Sequence, residues 1–216
     1  IYSHLACADD KNAFNPKSSA QLQREKFKAL LKLINIDNKQ KIKIHLANSA
    51  GMILGKDFQF DMVRVGLSMY GYEPLVKING KLFLKPALFL KAKVTFVRTI
   101  EKGIGVSYGN KFVSDRKTKL AVLSIGYADG IIRNLSGKIS LIHNKKLYPQ
   151  VGSITMDQMM VDITDSNDIE VGSTMLLLGS EGDKSISPID WADKCNSIPW
   201  EILCSFKNRL PRVQVD

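Results

Sequence analysis

The stretch Lys41–Ser49, KIKIHLANS, decides the fold class of the first part of the chain. Its apolar side chains alternate with polar ones, and a period of two is typical of a β-strand. Asn48–Ser49 closes the stretch and can cap a short helical turn over Ala50–Leu54. The stretch therefore predicts a strand that passes directly into a short helix.

The segments around this strand continue an alternation of strands and helices. Ser3–Ala8 is a short apolar run that is typical of the end of a buried strand, and Gln21–Ile34 places its apolar side chains on one helical face. Met62–Tyr70 is a further apolar run and predicts another strand. Such alternation implies a parallel sheet with functional side chains at the strand ends. Because so few parallel strands cannot close a barrel, either the sheet is small and capped or the chain is the latter part of a larger protein. We expect the second, because the first strand has no lead-in.

The pattern changes at Tyr72–Pro74. Beyond it, short segments of period two are separated by turns that contain Gly or Asn, which is typical of an all-β domain. These segments are Leu88–Ile100, Leu120–Leu123, Lys138–His143, Met159–Ile163 and Thr174–Leu178. Short helices are predicted over Asp190–Lys194 and Trp200–Phe206. We therefore expect an α/β domain over residues 1–73 and a β domain over residues 74–216.

The composition indicates an ordinary soluble globular protein. The 216 residues are 44% hydrophobic and 24% charged. No apolar run approaches the roughly 18–20 residues that span a bilayer, and Ile1–Ala8 lacks the basic and apolar regions of a signal peptide. The three cysteines are irregularly spaced, which argues against a disulfide framework or a zinc site. We expect a cytoplasmic protein with no membrane segment.

The net charge of +10 raises the alternative of a nucleic-acid binder. The lysines are dispersed, they are not interleaved with aromatic residues, and no nucleic-acid-binding motif is present. A lysine-rich solvated surface is the favoured interpretation, so no nucleic-acid partner is expected.

Three residues of the first domain could carry chemistry. Arg64 lies within an apolar run, where a guanidinium is costly to bury unless it is paired. It can be a salt-bridged structural residue or a fixed donor to a ring nitrogen or a phosphate. Ser49 can cap a helix or help to hold a phosphate. His4 can be a structural or a catalytic histidine, and the three histidines form no pattern typical of a metal site.

Three polar loops of the second domain carry further candidates. Gly105–Gly109 holds Tyr108 between glycines, which let the backbone turn sharply and let a ligand approach closely. A phenolic hydroxyl can donate, accept or take up a proton. The loop Ile125–Gly130 holds Tyr127, and the loop Val151–Gln158 carries an acid. Each loop alone is typical of a turn, but together they could converge on one pocket.

Taken together, these motifs resemble those of the alanine racemases, pyridoxal-phosphate enzymes that interconvert L-alanine and D-alanine. They follow the family's order through almost the whole chain. The motifs are HLACAD at 4–9, HLANSA at 45–50, DMVRVGLSMYG at 61–71, VSYG at 106–109, GYADG at 126–130, MDQ at 156–158 and RLPR at 209–212. The resemblance implies a partial α/β barrel of the TIM type, of which the chain holds the last strands, followed by an all-β carboxyl-terminal domain.

The resemblance also implies a role for each site residue. Tyr108 would be the base that acts on the α-hydrogen of L-alanine, with His4 and Arg64 beside it, and Arg64 would face the ring nitrogen of pyridoxal 5'-phosphate. The residues implied at the cofactor phosphate are Ser49, Gly66, Leu67 and Trp200. Those implied on the substrate side are Tyr127, Met156 and Asp157. Because the family places Tyr108 and Met156 in the partner subunit's site, a head-to-tail homodimer with shared active sites is implied.

Two departures from the family bear on activity. The family's second base is the lysine that holds the cofactor as a Schiff base, and no lysine of this chain lies in its motif. The family's arginine for the substrate carboxylate is absent as well, so the chain alone is expected to be inactive. Trp200 stands where the family usually has tyrosine, which raises the alternative of a racemase for another small amino acid such as serine. A non-catalytic dimerisation or binding module is a further alternative.

Overall fold

A computed structural model describes residues 1–34, 42–74 and 84–215. The chain divides into two compact units, Ile1–Ala87 and Leu88–Asp216. The boundary predicted at residues 73 and 74 adjoins residues 75–83, which lie outside the described part, and it stays a prediction.

Two of the three described helices of the first unit begin close to where the sequence predicts them, and the third, Lys56–Gln59, is not predicted. They are α1 (Ser19–Leu33), α2 (Ser49–Leu54) and α3 (Lys56–Gln59). At the start of α1, Ser18 Oγ accepts a hydrogen bond from Gln21 N at 3.3 Å. At the start of α2, Asn48 Oδ1 accepts from Gly51 N at 2.9 Å. Both caps satisfy backbone donors that a helix leaves unpaired at its first turn.

The apolar face predicted for α1 is buried only in part. Phe27 is 5% exposed, and its ring meets that of Phe60 edge-on with centroids 5.4 Å apart. Leu30 and Ile34, predicted on the same face, are 51% and 39% exposed. Leu31 packs against the same core as Phe27, so the core takes in the side of the predicted face that carries these two residues.

Extended segments lie side by side in the first unit. Tyr2 and His45 form a parallel bridge, in which His45 N donates to Ile1 O at 3.0 Å. Arg64 N donates to Ala47 O at 2.9 Å and aligns a further segment beside the second. The parallel order agrees with the predicted α/β arrangement, although the strands predicted here appear as one bridge and not as long ladders within the described residues.

The strand predicted over Met62–Tyr70 is wrong in its second half. Leu67–Tyr70 forms a 3-10 turn that ends at Gly71, where φ is 86°. A Cβ at Gly71 would lie 1.9 Å from the carbonyl oxygen of Lys85, so a larger residue does not fit. The run is apolar because Leu67 faces the interior, and burial alone does not distinguish a strand from a turn.

The second unit contains an antiparallel β-barrel followed by short helices. The strands are β1 (Leu90–Ile100), β2 (Gly105–Val106), β3 (Phe112–Val113), β4 (Thr118–Leu123), β5 (Ser140–His143), β6 (Lys146–Val151), β7 (Met159–Asp162), β8 (Thr174–Glu181) and β9 (Lys184–Ile186), and the helices are α4 (Pro188–Cys195) and α5 (Pro199–Ser205). The sheet order is β1-β4-β7-β6-β5-β8-β9, and β1 also pairs with β8. This extra pairing closes the strands from β1 to β8 in that order into a barrel and so protects their edges. The strand β9 pairs with β8, and β2 pairs with β3 in a separate two-stranded sheet.

The barrel core is continuous with the helix that follows the strands. Trp191 on α4 is 1% exposed, and its ring centroid lies 6.5 Å from that of Phe206. Both belong to the same hydrophobic cluster as Leu141 and Met159 of the strands. The prediction of an all-β architecture for this part of the chain is confirmed. Among the described helices, none combines the length and apolarity needed to cross a bilayer.

Candidate active site

Arg64 lies at the centre of a polar cluster in the first unit. Its Nη2 donates to the carbonyl oxygens of Ser3 at 2.8 Å and Leu46 at 3.1 Å, and its Nη1 donates to Nδ1 of His45. The same Nη2 lies 3.4 Å from Nδ1 of His4. No carboxylate of the described residues forms an ion pair with Arg64. The guanidinium is thus fixed by uncharged acceptors, and no carboxylate among the described residues neutralises its charge.

His45 and Tyr2 belong to this cluster, although the sequence does not single them out as site residues. Their rings are stacked with centroids 5.1 Å apart and planes within 3°. The guanidinium carbon of Arg64 lies 5.4 Å from the centre of the Tyr2 ring. Burial, and then the charge of Arg64, lower the pKa of His45 below its ordinary value. The alternation in Lys41–Ser49, which puts His45 on the polar face, is the signal that could have identified it.

Ser49 is a buried acceptor, while Asn48 is the residue that caps α2. Ser49 is 4% exposed, and its Oγ accepts from Gly66 N at 2.9 Å and from Ser68 N at 3.4 Å. The hydroxyl therefore orders the turn that begins at Gly66. The side chain of Leu67 is buried, so only its backbone can face a ligand.

No packing contact within the described residues explains why position 66 is a glycine. A Cβ added to Gly66 would meet no protein atom within 4 Å, and its φ is −115°. Neither crowding nor a left-handed backbone requires glycine there. The open space beside Gly66 fits a backbone that a ligand approaches closely.

The loop that carries Tyr108 in the second unit is held by a pair of serines. Ser107 Oγ donates to Ser153 O at 2.7 Å, and Ser153 Oγ donates to Tyr108 O at 2.9 Å. Ser107 and Gly109 have φ of 65° and 73°, so the chain turns sharply on both sides of Tyr108. Ser153 is 1% exposed, whereas Tyr108 is 72% exposed. The backbone of Tyr108 is therefore fixed while its phenol stays open to a partner or ligand.

The loops that carry Tyr127 and Met156 are joined through their backbones. Tyr127 N donates to Thr155 O and Ala128 N donates to Met156 O, each at 2.9 Å. A Cβ at Gly126 would lie 2.3 Å from Thr155 O, so this contact depends on glycine. The side chains of Tyr127 and Met156 are 42% and 53% exposed. Since Ser153 lies on the same segment as Met156, all the candidate loops of the second unit are connected.

Asp157 and Trp200 are the remaining predicted site residues of the second unit. The Asp157 carboxylate accepts from Nη2 of Arg209 at 2.6 Å. Trp200 is the second residue of α5 and is half-buried. Their roles towards substrate and phosphate stay predictions. No group of side chains suited to a metal ion occurs within the described residues.

Two family models match the chain. The model of the alanine racemase N-terminal domain matches residues 1–74, and that of the C-terminal domain matches residues 87–214. The chain belongs to the alanine racemase family. The resemblance in the sequence motifs is confirmed, and so is the expected class of fold.

Curated alanine racemases are similar over the whole chain. That of Prochlorococcus marinus is 53% identical over 215 residues, which cover 100% of this chain and 55% of the relative. That of Synechocystis is 44% identical over 215 residues, which cover 100% of this chain and 57% of the relative. The chain therefore spans little more than half the length of these relatives.

Crystal structures of alanine racemases have the same fold along the chain. The enzyme of Bartonella henselae, solved with covalently bound pyridoxal phosphate, gives a TM-score of 0.85 at 36% identity and covers 100% of this chain and 56% of its own. The enzyme of Streptomyces lavendulae, a D-cycloserine producer, gives 0.86 at 33% identity with 100% and 56% covered.

Proposed function

We propose that the full-length protein containing this chain interconverts L-alanine and D-alanine with pyridoxal 5'-phosphate, and so supplies D-alanine for peptidoglycan. The observation that carries the proposal is the environment of Arg64 in a chain of the alanine racemase family. This cation is held in place by hydrogen bonds and has no acidic partner among the described residues. The similar proteins named above are alanine racemases, and one of them holds pyridoxal phosphate covalently.

The residues of the first unit fit a phosphorylated pyridine cofactor. The ring nitrogen is an acceptor, and Arg64 Nε donates to no acceptor among the described residues. The phosphate would be held by the Ser49 hydroxyl and by the backbone at Gly66 and Leu67, where the space beside Gly66 is open. When bound, pyridoxal phosphate delocalises the negative charge that forms at the substrate Cα.

Arg64 would hold the ring nitrogen as a hydrogen-bond acceptor. A guanidinium does not release its proton near neutral pH, so the nitrogen would remain unprotonated. Such a contact would weaken the withdrawal of charge from Cα and would favour return of a proton there over competing reactions. Nδ1 of His45 would keep Nη1 of Arg64 in place while the proton is moved.

Tyr108 would move the α-proton of L-alanine on one face of the substrate. Its phenolic oxygen would take the proton from Cα, and the resemblance pairs Tyr108 with His4, which would help the oxygen to act as a base. Inversion needs a base on the opposite face as well, which the resemblance assigns to the lysine of the family's earlier segment. The 72% exposure of Tyr108 supports its contribution to the site of a partner subunit in a head-to-tail homodimer.

The proposal is tested by purifying the full-length protein and following conversion of L-alanine to D-alanine with and without added pyridoxal phosphate. We expect conversion that requires the cofactor. A folded full-length protein that neither binds the cofactor nor converts alanine would overturn the proposal and support a non-catalytic module.

The observation that favours a second substrate is Trp200 on α5. An indole donates only through N–H and from a different position than a phenol, so phosphate binding and substrate range could differ. Comparing kcat/KM for L-alanine and L-serine decides between them, and a higher value for L-serine would make serine the substrate.

A further inference from the structure

The RLPR motif at 209–212 follows helix α5 in the second unit. The side chain of its first residue, Arg209, is 54% exposed. It contacts one carboxylate in the loop that holds Tyr127 and another in the loop that holds Met156. Nη2 donates to Asp157 Oδ1 at 2.6 Å, and Nε lies 3.3 Å from Asp129 Oδ1. Arg209 thus bridges the loop that carries Tyr127 and the loop that carries Met156.

Asp129 is the inner contact of Arg209. The Asp129 side chain is 8% exposed, and its other oxygen, Oδ2, accepts from Gly126 N at 2.9 Å. This bond ties the end of the 3-10 turn Tyr127–Asp129 to Gly126, the residue that caps its start. A carboxylate buried to this degree needs a compensating charge, and Arg209 supplies it.

Asp157 is the outer contact and follows Met156 directly in the sequence. Its side chain is 56% exposed, so its bond to Arg209 is partly solvated. The hydrogen bond of Asp157 and the charge of Asp129 raise the pKa of Arg209, which agrees with a cation held by both groups. Together with the backbone bonds from Tyr127 and Ala128, this bridge gives the two loops a second point of attachment.

We propose that Arg209 is a positioning residue that clamps the Asp129 turn to the Asp157 loop and thereby sets the spacing of Tyr127 and Met156. The inference rests on the proposed function, in which those two residues face the substrate. Arg209 acts through the loops and does not touch the substrate. A lysine could contact one carboxylate but lacks the planar fork that reaches two.

Arg116 offers a matched control in the same unit. Its side chain is also 54% exposed, and it also lies between two aspartates, Asp162 at 3.9 Å and Asp165 at 3.5 Å. Neither aspartate adjoins Tyr127 or Met156 in the sequence. The contacts of Arg116 are longer than those of Arg209, at 3.3 and 2.6 Å, so Arg116 controls for the loss of an exposed arginine between two aspartates and not for contact strength.

The test compares Arg209→Gln, Arg209→Lys and Arg116→Gln in the full-length protein. Amide hydrogen exchange is measured in peptides that cover residues 126–130 and 155–158, and kcat and KM are measured for L-alanine. In Arg209→Gln we expect faster exchange in both loops and kcat/KM lower by about tenfold, which equals ~1.4 kcal/mol. Arg209→Lys should lie between that variant and the unsubstituted protein, and Arg116→Gln should match the unsubstituted protein.

Equal exchange in Arg209→Gln and Arg116→Gln would overturn the clamp, and so would a loss of activity without faster exchange. If Arg209→Gln does not fold, Asp157→Ala removes the outer contact. Because the resemblance places Asp157 on the substrate side, this variant is judged by exchange in residues 126–130 alone, where unchanged exchange would overturn the clamp. Hydrogen exchange does not depend on catalysis. A full-length protein that fails to racemise alanine therefore contradicts the proposed function, while exchange still decides the clamp.

Discussion

Arg64 donates a hydrogen bond from Nη1 to Nδ1 of His45. A guanidinium cannot accept hydrogen bonds, so Nδ1 of His45 must present its lone pair. The proton of a neutral His45 therefore lies on Nε2, and a doubly protonated His45 would place two donors against each other. The position of Arg64 is tied in this way to the protonation state of His45.

The first prediction is that stability falls as the pH drops below about 6.5, the ordinary pKa of histidine. Because the pKa of His45 is lowered in the folded state, the unfolded chain binds more protons in this range. The contribution of neutral His45 is complete above that pH and is lost as the pH falls towards the lowered pKa. The measurement is the free energy of unfolding of the full-length protein from pH 5 to pH 8.

His45→Gln should reduce this pH dependence, since glutamine offers an acceptor that does not titrate in this range. His143→Gln is the control, because Nδ1 of His143 bonds to Thr174 O in the second unit, away from Arg64 in the hydrogen-bond network. If His45→Gln keeps the full pH dependence, the link between His45 and stability is refuted.

The second prediction compares two glycines, one expected to matter for ligand binding and the other for folding. Gly66→Ala should change the free energy of unfolding by less than about 1 kcal/mol, because its Cβ would meet no protein atom within 4 Å. It should nevertheless weaken binding of pyridoxal phosphate, measured by titration of the apo full-length protein. In contrast, Gly126→Ala should cost at least ~1–3 kcal/mol of stability, since its Cβ would lie 2.3 Å from Thr155 O. Unchanged cofactor affinity in Gly66→Ala would refute the proposed phosphate position.

The third prediction concerns the planar guanidinium of Arg64. Arg64→Lys keeps the charge but cannot reach Ser3 O, Leu46 O and His45 together, so cofactor affinity should fall by about tenfold or more. Arg24→Lys is the control, because Arg24 lies in the same unit and pairs with Glu25 and Asp57. Equal affinities of the two variants would show that the shape of the Arg64 group is unimportant.

The fourth prediction concerns the serines that hold the Tyr108 loop. Ser153→Ala removes the hydroxyl that donates to Tyr108 O at 2.9 Å in a buried position. We expect a loss of about 1 kcal/mol of stability and a lower kcat with little change in KM, because the base is displaced and binding is not. Ser136→Ala removes another serine that bonds to this segment, at Ile154 N, and should affect stability more than kcat.

Much of the second unit could be predicted because period-two segments that face a core are plain in the sequence. The sequence pattern does not predict the strand β6, since Pro149 lies within it and proline usually marks the end or edge of a strand. The closure of the sheet through β1 and β8 could not be predicted either. It depends on pairs such as Ala92 with Met175, which are far apart in the sequence.

The residues of the candidate site likewise fall into those that local sequence can identify and those that it cannot. Arg64 could be singled out because a charge within an apolar run is locally unusual. The anchor His45 and the bridge from Arg209 to Asp129 and Asp157 could not, because their meaning lies in contacts between distant segments. Local sequence shows which groups are present, and the fold decides which of them meet.

The most direct test of the central claim is exchange of the α-hydrogen of L-alanine with deuterium from solvent in full-length Tyr108→Phe. This variant keeps the ring and loses only the hydroxyl of a side chain that is 72% exposed, so folding and cofactor absorbance should be unchanged. The account predicts that exchange from L-alanine falls by at least about a hundredfold, as expected when a positioned base is removed. Exchange and L-to-D conversion at the unsubstituted rate would contradict the assignment of Tyr108 as the catalytic base.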